Sequence, residues 1–360
     1  MRLRSLRTAS AASLLLALLV LTGCSPQLDS ADEGIFVARP DGSGVARIAS
    51  DIAEPAWSPD GREIAYSGRD GVYVVTPDGL DRRRVSSVEE AGPPTWSPQG
   101  DRLAFVDRAT ETLVVQPVDG GAPVTTPLAP AAASGGAKPV FVLRNLPAWS
   151  PDGRQIAFTS WDGNGDEIFI VAATGGARLQ VTHTRLSAEP MNADDPVSPR
   201  KAQANASSPA WSPTAEQIAF ALYPETAGAQ GGLYRIDPAG ALPIRLVSTT
   251  PRWGPVWSAD GSMLLFVAAH GSAVDLFLAR PDRWGATDLT PSGGPPVASA
   301  AWSPDGASIV LAAGGDLYRL NRAGGALQSI VASSLREAAP AWSPDGSKIA
   351  FTRSLDLIDR

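Results

Sequence analysis

Apolar and polar residues alternate along most of the chain in short runs that are separated by tight turns. In the stretch 55–85, this pattern predicts four strands, at residues 55–57, 62–66, 72–75 and 82–85. Proline and glycine mark the turns between the strands, because proline fixes φ and glycine accepts the left-handed conformation. The fourth strand is the most polar, which indicates an outer position. Four antiparallel strands in this length predict one blade of a β-propeller.

The same unit returns along the whole chain and is marked by a tryptophan at the end of its first strand. The type sequence is Trp57-Ser58-Pro59-Asp60-Gly61. Related sequences begin at Trp96, Trp149, Trp211, Trp257, Trp302 and Trp342. Repeats of this length indicate a propeller. The sequence therefore predicts an all-β protein, a β-propeller of seven four-stranded blades, with six or eight blades as alternatives.

The seventh repeat lacks half of its strands at the C-terminal end. Residues 341–351 supply only the first two strands, whereas residues 35–38 and 45–48 match a third and a fourth strand. We therefore expect both termini to build the last blade, which closes the ring without open strand edges. Residues 355–358 compete for the third-strand position, and the sequence leaves that choice open.

The repeats resemble those of TolB-type propellers and the WD40-like PD40 repeat. The resemblance rests on the motif followed by an apolar strand, as at residues 149–159, and covers about residues 34–353. Three copies depart from the motif, at Gln99, at Thr214 with Ala215, and at Ala259. TolB-type proteins have six blades and a separate α/β domain before the propeller. The sequence predicts seven blades here and no such domain between Cys24 and Gly34. The resemblance implies a non-catalytic protein-binding module.

The N-terminus has the pattern of a secretory signal peptide. Three arginines precede an apolar run at residues 14–21, and Leu21-Thr22-Gly23-Cys24 follows. This stretch resembles a bacterial lipoprotein signal, which implies cleavage before Cys24 and lipid on its sulfur; an ordinary signal peptide with an incidental cysteine is the alternative. The predicted organisation is a signal peptide at 1–23, a lipidated tether at 24–33 and a propeller at 34–360. We expect a lipid-anchored protein on the extracytoplasmic side of the cell membrane or the outer membrane.

Composition excludes several classes of function. The formal net charge of −7 argues against a nucleic-acid partner, because such partners select a basic surface. A single cysteine excludes an intramolecular disulfide and a zinc cluster built from cysteines. The expected partner is an envelope protein, in addition to the membrane itself.

The insertions of the repeats are expected on one face of the propeller. Turns between second and third strands, and connections between blades, share that face, and they contain the segments 126–146, 182–208, 222–232, 251–254 and 268–273. Variable loops on a rigid scaffold are where binding usually occurs. Neutral drift in loop length is the alternative, since long surface loops are tolerated.

Six residues of these segments are candidate binding residues: Arg144, His183, Tyr223, Arg252, Trp253 and His270. Trp253 and Arg252 are the first candidates, because a tryptophan and an arginine in a short loop suit protein contact or stacking on a sugar. The alternative for Trp253 is packing on Val256 or on a neighbouring blade.

The sequence contains no catalytic constellation, and we expect no cofactor and no metal. His183 and His270 are the only histidines, too few for a ligand cluster without carboxylates that the sequence does not place. Residues 162–166 resemble a calcium loop, but Glu167 and Ala173 stand where an EF-hand requires glycine and glutamate. A polar hairpin turn explains these residues better, and calcium binding is a minor alternative.

Two functions are compatible with the sequence. The favoured one is a non-catalytic module that binds an envelope protein through its insertions; an envelope sensor without a soluble ligand is indistinguishable from it. The alternative is a propeller that binds or degrades glycans as a lyase or hydrolase. An enzyme of that kind would gather histidine, arginine and carboxylates at the channel mouth, whereas the loop carboxylates here are dispersed.

Overall fold

A computed structural model describes residues 32–128, 146–163, 165–184, 204–225, 230–239, 242–290 and 293–355. Cys24, Arg144 and the predicted signal peptide lie outside these residues. The described part of the chain is built from β-strands and turns, without an α-helix. Nowhere in it does a helix reach the length and apolarity required to cross a membrane.

The first strands in chain order are β1 (Gly34–Ala38) and β2 (Ala46–Ala49). Blade one contains β3 (Ala56–Trp57), β4 (Ile64–Gly68), β5 (Gly71–Val75) and β6 (Arg82–Ser86). Blade two contains β7 (Thr95–Trp96), β8 (Arg102–Asp107), β9 (Thr112–Pro117) and β10 (Val124–Pro127). Blade three contains β11 (Ala148–Trp149), β12 (Gln155–Trp161), β13 (Asp166–Ala172) and β14 (Leu179–Gln180).

Blade four contains β15 (Ala204–Trp211), β16 (Ile218–Pro224), β17 (Gly232–Ile236) and β18 (Ile244–Val247). Blade five contains β19 (Pro251–Trp257), β20 (Leu264–His270), β21 (Ala273–Ala279) and β22 (Ala286–Asp288). Blade six contains β23 (Val297–Trp302), β24 (Ser308–Ala313), β25 (Asp316–Asn321) and β26 (Gln328–Val331). Blade seven combines β27 (Arg336–Trp342) and β28 (Ile349–Ser354) with β1 and β2.

Blade seven confirms the predicted closure of the ring by both termini. Its strand order is β2-β1-β28-β27, so β1 takes the third-strand position next to β28. Phe36 pairs with Phe351, and their rings stack at 5.8 Å between centroids. The described chain therefore forms seven four-stranded antiparallel blades, which settles the blade count in favour of seven.

The first strands of the blades are the innermost ones, because each contacts the first strand of the next blade around a closed ring. Five of the seven motif tryptophans link these strands through a hydrogen bond from the indole nitrogen. The indole nitrogen of Trp96 donates to the main-chain oxygen of Ala56 in the preceding blade at 2.9 Å, and Trp149 donates to Thr95 at 3.2 Å. These tryptophans therefore connect neighbouring blades.

Seven apolar clusters fill the seven interfaces between neighbouring blades. The second strand contributes a fully buried apolar triplet in every blade, such as Ile64-Ala65-Tyr66 and Ile156-Ala157-Phe158. Both sides of these strands are covered, because each blade lies between two others. Because both faces of these strands are buried, their sequences are continuous apolar runs rather than a strict alternation of apolar and polar residues.

The motif turn is held by its own side chains. Ser58 Oγ donates to Asp60 Oδ1 at 2.7 Å, and the main-chain N–H of Arg62 donates to the same oxygen at 3.1 Å. These hydrogen bonds hold the pKa of Asp60 below its ordinary value. Gly61 adopts a φ of +71°, a conformation that favours glycine. In blade two Gln99 replaces the aspartate, and Ser97 donates to Asp101 instead.

Candidate functional site

The antiparallel order of the blades divides the turns between two faces. Turns between first and second strands and between third and fourth strands lie on one face, here called the short-turn face. Turns between second and third strands lie on the other, together with the connections between blades, and this is called the insertion-bearing face. The two longest connections, residues 128–147 and 181–203, begin and end on the insertion-bearing face.

The structure corrects two of the predicted loops on this face. Residues 251–254 belong to β19, and residues 268–273 belong to β20 and β21 except for a two-residue turn at Gly271 and Ser272. The prediction of a loop at residues 251–254 is wrong because proline and glycine, which are typical of loops, here lie within a strand. Pro251 and Pro255 fit the inner edge strand, whose pairing with β20 is irregular on both sides of Trp253.

Three other segments are shorter than predicted, because strands continue into them. Strand β10 extends to Pro127, β15 begins at Ala204, and β16 extends to Pro224. The strands therefore continue past the residues whose turn-like sequence suggested a loop.

Trp253 and Arg252 are neighbours with different environments. Trp253 is partly buried and packs on the apolar cluster between blades five and six, together with Val256. The packing alternative for this tryptophan is therefore observed. Arg252 is exposed and remains available to a partner. Its role in binding stays a prediction.

The remaining candidates on this face lie on different blades. His183 is exposed and follows β14, immediately before the connection to blade four. Tyr223 is half-buried near the end of β16, and burial raises the pKa of its hydroxyl. His270 ends β20 in blade five and is exposed. The structure thus spreads these three residues over blades three, four and five.

The segment 162–166, which resembles a calcium loop in sequence, is a hydrogen-bonded hairpin turn. The main-chain N–H of Gly165 donates to Asp162 Oδ1 at 2.9 Å, and Gln180 Nε2 donates to Asp162 Oδ2 at 3.3 Å. Both carboxylate oxygens of Asp162 therefore have partners within the protein, as a polar turn predicts.

Two buried glutamates of the described chain lie near the insertion-bearing face and are not evident from the sequence. Glu167 is fully buried in β13; its carboxylate accepts hydrogen bonds from the hydroxyls of Thr182 and Thr184 at 2.5 and 2.7 Å and from the Thr184 N–H at 2.7 Å. Burial raises the pKa of Glu167. These hydrogen bonds hold the start of the connection 181–203 against blade three.

Glu337 is the second buried glutamate and lies in the first strand of blade seven. Its Oε1 accepts from Arg353 Nε at 2.9 Å and from Ser333 Oγ at 2.7 Å. The Arg353 guanidinium also lies 4.5 Å from the ring centre of Phe36. Phe36 belongs to β1, the strand that the N-terminal part of the chain contributes to this blade. Burial raises the pKa of Glu337. This pair therefore stabilises the seam where the termini meet.

The short-turn face carries a groove between blades three and four, with a volume of about 520 Å³. Its walls include the motif turns at Asp152 and Pro213 and the ring of Trp211. These residues belong to the repeat and have structural roles. The groove is therefore explained by the geometry of the blades.

Comparison with curated proteins identifies relatives over a short part of the chain. Over 67 residues it is 42% identical to the Tol-Pal system protein TolB of Alcanivorax borkumensis, a match that covers 17% of this chain and 15% of that protein. The TolB of Syntrophus aciditrophicus is 39% identical over 61 residues, which are 15% of this chain and 14% of that protein. The chain thus matches about a seventh of the length of these relatives. No family model matches it.

Solved structures show the same architecture over most of the chain. A protein from Agrobacterium tumefaciens described as a TolB superposes with a TM-score of 0.51 at 17% identity, covering 89% of this chain and 96% of that one. The β-propeller domain of Cps50 (Swd1) from Myceliophteria thermophila gives 0.61 at 14% identity, with 85% and 98% covered. An oligogalacturonate lyase from Vibrio parahaemolyticus gives 0.59 at 10% identity, with 89% and 91% covered. At these identities the likeness concerns the fold alone.

The blades and their repeated motif define the class of protein: a seven-bladed β-propeller built from Trp-Ser-Pro-Asp-Gly repeats. Within that class, the chain is similar to TolB, in sequence over the short matched stretches and in fold over most of its length.

Proposed function

We propose that the protein is a lipid-anchored module of the bacterial cell envelope that binds a protein partner through its insertion-bearing face and catalyses no reaction. The observation that carries this proposal is the asymmetry of the two faces. One face repeats a short turn fixed by serine and aspartate, whereas the other carries both long connections on the same rigid ring. Long loops on a rigid scaffold favour recognition.

The position of the tether supports an envelope partner. Strand β1 occupies the third position of its blade, so its first residue, Gly34, lies at the insertion-bearing face. The proposed tether at residues 24–33 therefore leaves from that face. Ten extended residues span at most about 35 Å. A lipid at Cys24 would hold the binding face within that distance of the membrane, where an envelope protein is reachable.

The relatives favour the same class of function. The two curated relatives are named as Tol-Pal system proteins, and their names are the reason to expect an envelope protein as partner here. The lyase structure shares the fold alone and carries no argument for glycan degradation. Glu167 and Glu337, the fully buried glutamates of the described chain, are held by hydroxyls and Arg353, which suits a structural role.

A loop replacement tests the proposal, and the structure defines where to cut. Thr184 Oγ1 donates to the main-chain oxygen of Ala204 at 2.7 Å, so the two ends of the connection 185–203 lie side by side. Replacement of residues 186–202 by a short glycine–serine linker therefore leaves β15 complete. The variant and the wild type are crosslinked in their own cell envelope and purified. We expect one discrete protein with the wild type and at least a tenfold lower yield with the variant.

Two further variants make the result specific. Arg252→Ala removes an exposed charge on the insertion-bearing face and should reduce the yield several-fold. Leu80→Ser changes a side chain that is 87% exposed next to the β5–β6 turn, on the short-turn face, and should leave the yield unchanged. Equal recovery with all forms, or loss with Leu80→Ser alone, would contradict the assignment of the face. If no protein is recovered, binding and turnover of cell-wall polysaccharides would become the leading test.

A further inference from the structure

Three side chains that can bind a metal converge on blade five, at the edge of the insertion-bearing face. They are His270, Asp275 and Asp288, and the ligand atoms that they offer all lie within 4.8 Å of one another. His270 Nδ1 lies 3.3 Å from Asp288 Oδ2 and 3.5 Å from Asp275 Oδ2. One imidazole and two carboxylates thus face one point from three strands.

The strand register brings these residues together. Ala268 pairs with Asp275 across the β20–β21 hairpin. Because side chains alternate between the two sides of a strand, His270 lies on the same side as Ala268 and therefore as Asp275. Phe277 pairs with Asp288 on the adjacent strand, which adds the second carboxylate on that side. The arrangement is therefore fixed by regular hairpin pairing.

Asp275 is the most buried of the three side chains. Its side chain is 9% exposed, and within the described residues its carboxylate approaches His270 without a hydrogen bond. A buried carboxylate without hydrogen bonds is costly. Asp288 lies beside it and adds a second negative charge, so a cation at this point would offset both.

The surrounding residues hold the candidate ligands in place. The main-chain N–H of Thr290 donates to Asp288 Oδ1 at 3.0 Å, and its hydroxyl donates to the same oxygen at 3.2 Å. The other oxygen, Oδ2, lies at hydrogen-bond distance from His270 Nδ1, at 3.3 Å. The His270 ring contacts the edge of Phe277, with centroids 6.1 Å apart. Metal ligands are commonly oriented by such outer contacts.

The distances are also compatible with a shared ion. Hydrogen bonds between a protonated histidine and a carboxylate are about 2.7–2.9 Å long. Two ligand atoms about 2.1 Å from one tetrahedral ion are separated by about 3.4 Å. The separations of 3.3 and 3.5 Å lie close to that value.

We propose that His270, Asp275 and Asp288 form a site for a divalent transition-metal ion of the Zn²⁺ type. Imidazole nitrogen suits zinc, whereas calcium prefers a shell of oxygen ligands. Three protein ligands leave a fourth position for water or a group from a partner. The site departs from the expectation that the protein binds no metal, and it does not depend on the proposed protein-binding function.

Titration calorimetry tests the site, with untagged protein in metal-free buffer and ZnCl₂, MnCl₂ or CaCl₂ as titrant. We expect one Zn²⁺ per chain and weaker binding of Ca²⁺. Asp288→Asn and His270→Ala should each reduce the Zn²⁺ affinity at least tenfold. His183→Ala removes the only other histidine and is the matched control, because it should leave the affinity unchanged. Thermal unfolding without metal checks that each variant is folded.

Histidine NMR provides a second readout. The chain has two histidines, and hence two imidazole C2–H signals, which the two histidine variants assign. Substoichiometric Mn²⁺ should broaden the His270 signal and spare the His183 signal. Absence of Zn²⁺ binding, equal broadening of both signals, or full Zn²⁺ affinity in folded His270→Ala would overturn the proposal.

Discussion

The indole nitrogen of Trp57 donates a hydrogen bond to the main-chain oxygen of Ala341 at 3.1 Å. Trp57 belongs to blade one and Ala341 to blade seven, so this bond joins the two ends of the repeat array. The same bond links other neighbouring blades, such as Trp257 to Ala210 at 2.9 Å. Each of these tryptophans thus connects its blade to the preceding one, and in blade one the connection closes the ring.

Trp57→Phe should reduce the free energy of unfolding by about 1 kcal/mol more than Trp342→Phe does. This difference is the net value of one hydrogen bond. Both tryptophans are partly exposed motif residues, but within the described chain the indole nitrogen of Trp342 has no hydrogen-bond partner. Both changes remove the same volume, so the difference reports the hydrogen bond of Trp57 together with the removal of the buried, unsatisfied N–H of Trp342. Urea denaturation of the two variants measures it. Equal losses would show that packing alone links the blades.

The fold is predictable because each repeat carries its own turn and strand signals. The seam follows from a count of strands: Trp342 begins a blade with two strands, and residues 35–38 supply the pattern of a third. Residues 355–358 cannot be rejected from sequence, because they are apolar enough for the same position. Pairing of β1 with β28 decides the matter, since Phe36 stacks on Phe351 within the apolar interface to blade six.

The candidate metal site is not predictable in the same way. The sequence pattern of residues 268–273 suggests a loop, and in a loop His270 and Asp275 have no defined relation. A two-residue Gly271-Ser272 turn is nevertheless a recognised hairpin signal. It places Asp275 opposite Ala268 and on the side of His270. The position of Asp288 depends in addition on the register between the third and the fourth strand. That register is set by packing rather than by local sequence, so it could not be predicted.

Asp345→Asn should lower stability at neutral pH and lose its effect in acid. Ser343 and Ser347 donate to the Asp345 carboxylate and hold its pKa at about 2. An unfolded aspartate titrates at about pH 3.9. Because the folded pKa is lower, the ionised group stabilises the fold above about pH 4, and this contribution disappears as the pH falls towards about 2.

Urea midpoints at neutral pH and at about pH 2.5 measure this effect. We expect a loss on the order of 0.5–1 kcal/mol at neutral pH, because solvent screens an exposed carboxylate. The control is Asp119→Asn, since Asp119 is exposed and the described chain shows no hydrogen bond to its carboxylate. An equal loss at both pH values for Asp345→Asn would be inconsistent with a charge effect.

Arg353→Met should strongly destabilise the seam at neutral pH. The Glu337 side chain is fully buried, and Arg353 is its charged partner at 2.9 Å. Loss of one partner from a buried pair is expected to cost about 3–5 kcal/mol. Burial already raises the pKa of Glu337, and removal of the arginine should raise it further. The destabilisation should therefore increase as the pH rises through the folded pKa of Glu337 and be smaller in mild acid.

The double variant Glu337→Gln with Arg353→Met is the control for this effect. It removes both charges, so it should be more stable than Arg353→Met alone at neutral pH and nearly independent of pH between mild acid and mild base. Thermal unfolding across that range compares the variants. A pH-independent loss in Arg353→Met would indicate that the missing contact with Phe36, rather than the unpaired carboxylate, is responsible.

Cys24→Ser should release the protein from the membrane without changing the propeller. Residue 24 precedes β1, which begins at Gly34, so the blades do not depend on it. If lipid on Cys24 is the anchor, the wild type should sediment with membranes and incorporate labelled palmitate, whereas the variant should do neither. Equal thermal midpoints of the two purified proteins would confirm that the fold is intact. Membrane association of an unlabelled Cys24→Ser variant would instead assign attachment to a partner that the propeller binds.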